Sequence, residues 1–194
     1  MKNFETTLPE GYTAAKTVDA KNKRVIVCMS LAAAAVTVLG IALAVLILRP
    51  RDFFGNFSIV RYFAALLIML AYIVLHELTH GAAYKILTKQ KLTFGFSLTV
   101  AFCGVPEIFV YRRAALISLL APFTVFTLVF GGAVLLLPDV WDKTYAAALL
   151  AIHLGGCVGD LYDTLLFLFK YRDPDTLMND TGPKQTIYVK SNKS

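Results

Sequence analysis

Tyr72-Ile73-Val74-Leu75-His76-Glu77-Leu78-Thr79-His80-Gly81-Ala82-Ala83-Tyr84-Lys85 is the stretch on which the reading of this chain turns. It sets an H-E-x-x-H pattern, His76 to His80, near the end of a long apolar run. On a helix, residues four apart share a face, so His76 and His80 can aim two imidazoles at one ion with Glu77 beside them. Such a set is the core of a zinc hydrolase, in which the imidazoles hold the metal and the carboxylate takes a proton from metal-bound water. Residues 62–84 are otherwise apolar enough to cross a membrane. Ionisable side chains inside a span are costly unless they have partners, so three of them within five residues argue for a metal site.

Working outward, 57% of the 194 residues are hydrophobic, and little is left over for a separate soluble domain. Four apolar runs, 25–48, 62–84, 114–137 and 145–169, are each long enough to span. The expected fold is an all-α membrane bundle of about four transmembrane helices. A cytoplasmic arm (1–24) would precede the membrane-embedded part (25–169), and a cytoplasmic tail (170–194) would follow it. One segment breaks the helical pattern. From Leu92 to Phe102 apolar and small or polar residues alternate, which is a strand signal. A turn over 103–106 and a second short strand over 108–111 would complete a small β-hairpin on the cytoplasmic side between spans two and three. An exposed strand there could receive an extended substrate by backbone pairing. Pro122 is expected near the start of span three, where a missing backbone donor matters least.

The net charge of +6 fits the cytoplasmic face of a membrane better than nucleic acid. With four spans, the arm, the central loop and the tail lie on one side and hold fifteen of the nineteen Lys and Arg residues. The positive-inside rule then puts both termini of a multi-pass cell-membrane protein in the cytoplasm. Cys28, Cys103 and Cys157 form no disulfide framework, and no cleavable signal is expected, since residues 1–24 are polar and the first apolar run is too long for an h-region and has no convincing cleavage site after it.

A catalytic zinc takes three protein ligands and an open position, so a third ligand is needed. The fourth span carries His153, Cys157, Asp160 and Asp163. Counting 1.5 Å per residue from the cytoplasmic ends, His76 and His80 lie roughly 13 and 7 Å deep, Asp160 roughly 15 Å and Asp163 roughly 10 Å. His153 would lie roughly 25 Å down and is better suited to a hydrogen bond with a backbone carbonyl in the bundle. Either aspartate can reach the histidines. Gly159, which would allow close packing beside Asp160, favours Asp160. Gly155 and Gly159 stand in G-x-x-x-G spacing, and the small residues Ala32–Ala35 and Gly40 of the first span would also let a helix come close.

His76-Glu77-x-x-His80 in one span and an aspartate in a later one resemble the intramembrane zinc metalloproteases of the site-2 type. The segment from His153 through Gly159-Asp160 to Tyr162, the Ala121-Pro122-Phe123 step and the Asp180-x-Gly182 pair are similar to a bacterial family of small four-span zincin peptidases. The likeness covers most of residues 62–188. It implies zinc on His76, His80 and Asp160, Glu77 as the base, and cleavage of a membrane-embedded or membrane-adjacent peptide. Site-2 proteases usually carry Asn and Pro just before the aspartate; here the stretch is Cys157-Val158-Gly159-Asp160. The rival reading is a non-catalytic membrane protein that binds a metal, a haem or a partner helix.

Overall fold

Long apolar runs with few breakers give long helices, and the computed structural model, which describes residues 2–51, 58–96 and 101–191, follows that rule. Helix α1 covers Lys23–Leu48, α2 covers Ile59–Thr88 and α3 covers Arg112–Leu136. Each is long and apolar enough to cross a membrane. The fourth apolar run is interrupted. Helix α4 (Val140–Gly156) stops at Cys157, α5 (Val158–Leu165) starts afresh, and a π-helical turn (Leu166–Lys170) ends it. The chain is therefore a membrane protein with three candidate spans, or four if α4 and α5 form one broken span. Helix α4 also begins earlier than the apolar run suggests. The Asp139 carboxylate caps it by accepting from the Trp141 and Asp142 N–H groups.

The fold is not purely α-helical. Five strands form an antiparallel sheet in the order β1 (Phe4–Glu5), β5 (Phe109–Tyr111), β6 (Leu177–Asp180), β7 (Lys184–Lys190) and β2 (Tyr12–Asp19). The segment expected as an arm thus supplies both edge strands, and the expected tail supplies two inner ones. The expected strand over 108–111 belongs to this sheet, not to the hairpin. The hairpin itself is β3 (Thr93–Phe96) with β4 (Ala101–Gly104), in register Phe94↔Cys103 and Phe96↔Ala101. Residues 97–100 of the expected 92–102 strand lie outside the described residues. The expected turn over 103–106 is only partly one, since Cys103 and Gly104 belong to β4.

The chain divides into two compact units. The first takes in Met1–Cys28, His76–Pro122 and Asp160–Ser194. Its core gathers Tyr84 from α2, Val110 from β5, Ala114, Ala115 and Leu119 from α3, Phe167 from the π turn, and Met178 and Ile187 from the sheet. The Arg112 side chain donates to the Phe167 carbonyl at 3.0 Å, tying the start of α3 to that turn.

The second unit takes in Met29–Leu75 and Phe123–Gly159. Its core is Tyr72, Phe126, Phe130 and Leu149. Small residues do bring α1 close to α4. A Cβ on Gly40 would lie 2.7 Å from the Ala151 Cβ, and one on Gly155 would meet the Thr37 hydroxyl and lie 2.7 Å from the Ala33 carbonyl oxygen. Gly159 differs, because a Cβ there meets nothing within 4 Å. Its supposed role in close packing is therefore not seen. Gly155→Ala is expected to destabilise the protein by about 1–3 kcal/mol, because backbone atoms of α1 cannot step aside. Gly159→Ala should be neutral or slightly stabilising, since alanine favours helix over glycine. Unfolding of the two variants in the same detergent, side by side, checks the contrast.

Candidate metal centre

Helix α2 presents His76, His80, Tyr84 and Thr88 at four-residue intervals, and all four side chains are buried. The two imidazoles stand edge to face with ring centroids 5.0 Å apart. Asp160 comes from the first turn of α5. It is there because the helix breaks at Cys157, whose backbone (φ −79°, ψ 0°) leaves the helical path. The break forms with neither Asn nor Pro in the Cys157-Val158-Gly159-Asp160 stretch. A carboxylate in a first turn is also favoured by the positive end of the helix dipole.

One carboxylate oxygen of Asp160 faces both rings. Its Oδ2 lies 3.3 Å from His76 Nε2 and 3.4 Å from His80 Nε2. Direct charge-assisted hydrogen bonds would draw such pairs in to about 2.7–2.9 Å. Ligand atoms on a tetrahedral zinc, with bonds of about 2.0–2.1 Å, stand about 3.3 Å apart. The spacing suits a shared ion, and the donor set of two imidazoles and a carboxylate suits zinc. Asp163, one turn further along α5, is not in this cluster. It is buried, and its Oδ1 has no hydrogen-bond partner among the described residues.

The imidazole of His80 is oriented from behind. Its Nδ1 lies 2.8 Å from the Ser118 carbonyl oxygen of α3. A carbonyl only accepts, so Nδ1 carries the proton and Nε2 turns its lone pair to Asp160. Glu77 is half-buried beside the cluster, against the backbone N–H of Cys103 in β4. Burial, and after it the charges of Asp180 and Glu77, push the Cys103 thiol up to about 12, so it offers no thiolate at neutral pH.

Asp180 holds this side of the site together. Its Oδ2 accepts from the Tyr84 hydroxyl at 2.7 Å, its Oδ1 from the Gly182 N–H at 2.8 Å, and its carbonyl from the Val105 N–H at 2.8 Å. The sheet, the end of β4 and α2 are thereby joined at one residue. Gly182 has φ +94°, which the turn between β6 and β7 requires and a side chain would strain. Burial pushes the Asp180 carboxyl up to about 6, although the hydrogen bonds from Tyr84 and Gly182 pull it down. An acid raised in the fold stabilises most below its unfolded value of 3.8 and loses that contribution as pH climbs through about 6. The whole step is worth about 3 kcal/mol. Metal-free protein should therefore melt at a higher temperature at pH 5 than at pH 7. Asp180→Asn should reduce that difference, and an unchanged pH dependence would count against the burial argument.

His153 belongs to the second unit and is fully buried there. Its Nδ1 lies 2.9 Å from the Tyr72 hydroxyl, and its Nε2 lies 3.2 Å from the Thr127 hydroxyl and 3.4 Å from the Phe123 carbonyl oxygen. The rings of Tyr72, Phe126 and Phe130 surround it.

The sequence model of the DUF3267 family, described as "putative zincin peptidase", matches residues 69–173, more than half of the chain. The chain belongs to this family. The matched region contains His76, Glu77, His80 and Asp160 together with Ser118 and Pro122. The family implies a zinc-dependent peptidase activity in general terms. Neither the curated proteins nor the solved structures provide a significant match to the chain. Among the residues around the cluster, the Ser118 carbonyl, Cys103 N–H and Tyr84 had no role in the reading of the sequence, and Asp180 entered it only as part of the family resemblance. Tyr84 could have been found, because it continues the His76–His80 stripe by one more turn.

Proposed function

We propose that this zincin-family member is a membrane-embedded zinc metalloprotease that cleaves peptide bonds of membrane-associated substrates. The observation that carries the reading is the placement of Asp160 Oδ2 at 3.3 and 3.4 Å from the two imidazole nitrogens. His76, His80 and Asp160 would hold the ion. Zinc, when bound, supplies Lewis acidity that polarises the scissile carbonyl and makes water acidic enough to attack near neutral pH.

The remaining work falls to side chains of this chain. Glu77 accepts the proton of the attacking water and returns it to the leaving amine. The Glu77 carboxylate lies beside β4, within reach of the Cys103 N–H. A transmembrane helix hides its carbonyls in its own hydrogen bonds, so a substrate segment must unwind before cleavage. Strand β3 pairs with β4 on one side and has no strand on its other side among the described residues. That edge offers the unwound segment backbone partners. The first unit also carries fifteen of the nineteen Lys and Arg residues, which favours a cytoplasmic location for its sheet and for both termini.

The deciding test is metal analysis of the detergent-purified chain together with cleavage assays on membrane-associated peptides. About one zinc per chain is expected, with hydrolysis stopped by a chelator and restored by zinc. A chain that takes up no zinc under any condition would overturn the reading.

A further inference from the structure

Pro122 is not at the start of its helix. Helix α3 runs without interruption from Arg112 to Leu136, and Pro122 sits in its interior, fully buried. Proline has no backbone N–H, so the carbonyl four residues earlier goes without its helical donor. That carbonyl belongs to Ser118, the group that receives the Nδ1 proton of His80 at 2.8 Å. The side chain of Ser118 plays no part in this, since its Oγ has no hydrogen-bond partner among the described residues. A buried carbonyl left without a donor is costly, and so is a buried ring N–H without an acceptor. Here each satisfies the other.

We infer that Pro122 is a positioning residue for the metal centre: by withholding its N–H it reserves the Ser118 carbonyl for His80 and so fixes which nitrogen of His80 faces Asp160. This rests on the zinc reading only for its consequence; the hydrogen bond itself can be tested without metal. With any other residue at 122, a helical N–H competes for the same carbonyl. The carbonyl is drawn along the helix axis, and His80 loses the partner that sets its tautomer. Groups that orient a ligand in this way typically change metal affinity by about 10- to 100-fold when removed.

The chain has three histidines, which makes the tautomer measurable in the intact, metal-free protein by long-range proton–nitrogen correlation of labelled imidazoles. His76→Gln and His153→Gln provide the assignments. His80 is expected to carry its proton at Nδ1, whether or not Nε2 is protonated as well; a bare Nδ1 would overturn the inference even if Pro122→Ala failed to fold. Zinc competition titrations give the second readout. Pro122→Ala should bind about tenfold more weakly or worse. Ser118→Ala, which keeps the carbonyl, should bind like the parent. Lactic acid incorporated at 122 has neither ring nor N–H and should restore most of the affinity lost with alanine. Parental affinity in Pro122→Ala, or no rescue by lactic acid, would overturn the role given to the missing donor. A parent that binds no zinc, with His80 still protonated at Nδ1, would sink the protease reading and leave the hydrogen bond standing.

Discussion

Asp160→Ala should come off purification essentially without zinc, whereas Asp163→Ala should retain about one ion per chain. The two aspartates are one helical turn apart on α5, and composition does not separate them. Geometry does. Asp160 supplies the one oxygen that approaches both Nε2 atoms, and Asp163 stands outside that group. Loss of a ligand leaves two imidazoles, which cannot hold zinc against a chelating buffer, so the effect should be close to all or none. His76→Ala should behave like Asp160→Ala. Metal content measured after equilibration in a zinc buffer checks all three. Zinc kept by Asp160→Ala but lost by Asp163→Ala would mean that the wrong aspartate has been assigned.

The parts of this arrangement that the sequence showed are the local ones. The spacing of His76 and His80 is a property of a single helix, and counting residues from the membrane surface brought Asp160 within range of it. The long apolar runs showed the membrane helices because hydropathy needs no partner to be recognised. The sheet was hidden for the opposite reason. Strand β2 pairs with β7, from Tyr12↔Lys190 to Asp19↔Lys184, across most of the chain. A bulge between Ala14 and Lys16 also breaks the alternation that would have marked β2 as a strand. Nothing local in residues 12–19 foretells a partner so far away, so this segment looked like an unstructured arm.

Pro122 was misjudged through its context. A proline near the beginning of an apolar run looks harmless, but α3 starts at Arg112, and the basic pair Arg112-Arg113 that seemed to precede the span is its first turn. Even counted from Ala114, Pro122 is the ninth residue, past the first four whose N–H groups have no helical partner, so its missing donor has a consequence. Gly159 failed in the other direction, because spacing suggested a contact that the backbone does not make.

Glu77→Gln should lower peptide hydrolysis by roughly 10²–10⁴-fold while leaving the zinc content at the parental level. The substitution is nearly isosteric. The glutamine carbonyl can still accept from the Cys103 N–H, so β4 and the cluster on α2 should keep their places. What an amide cannot do is take the proton of the attacking water and deliver it to the leaving amine. Zinc retained with activity lost would therefore separate a base from a ligand. The non-catalytic rival makes the opposite prediction, since a protein that only stores a metal, a haem or a partner helix has no use for a proton acceptor at this position. Equal hydrolysis by parent and variant would remove Glu77 from the mechanism. The expected result would also supply a variant that binds substrate without cutting it. Crosslinking from Thr93 on β3 in that variant would then ask whether the captured segment runs along the edge of β3 that has no partner strand among the described residues.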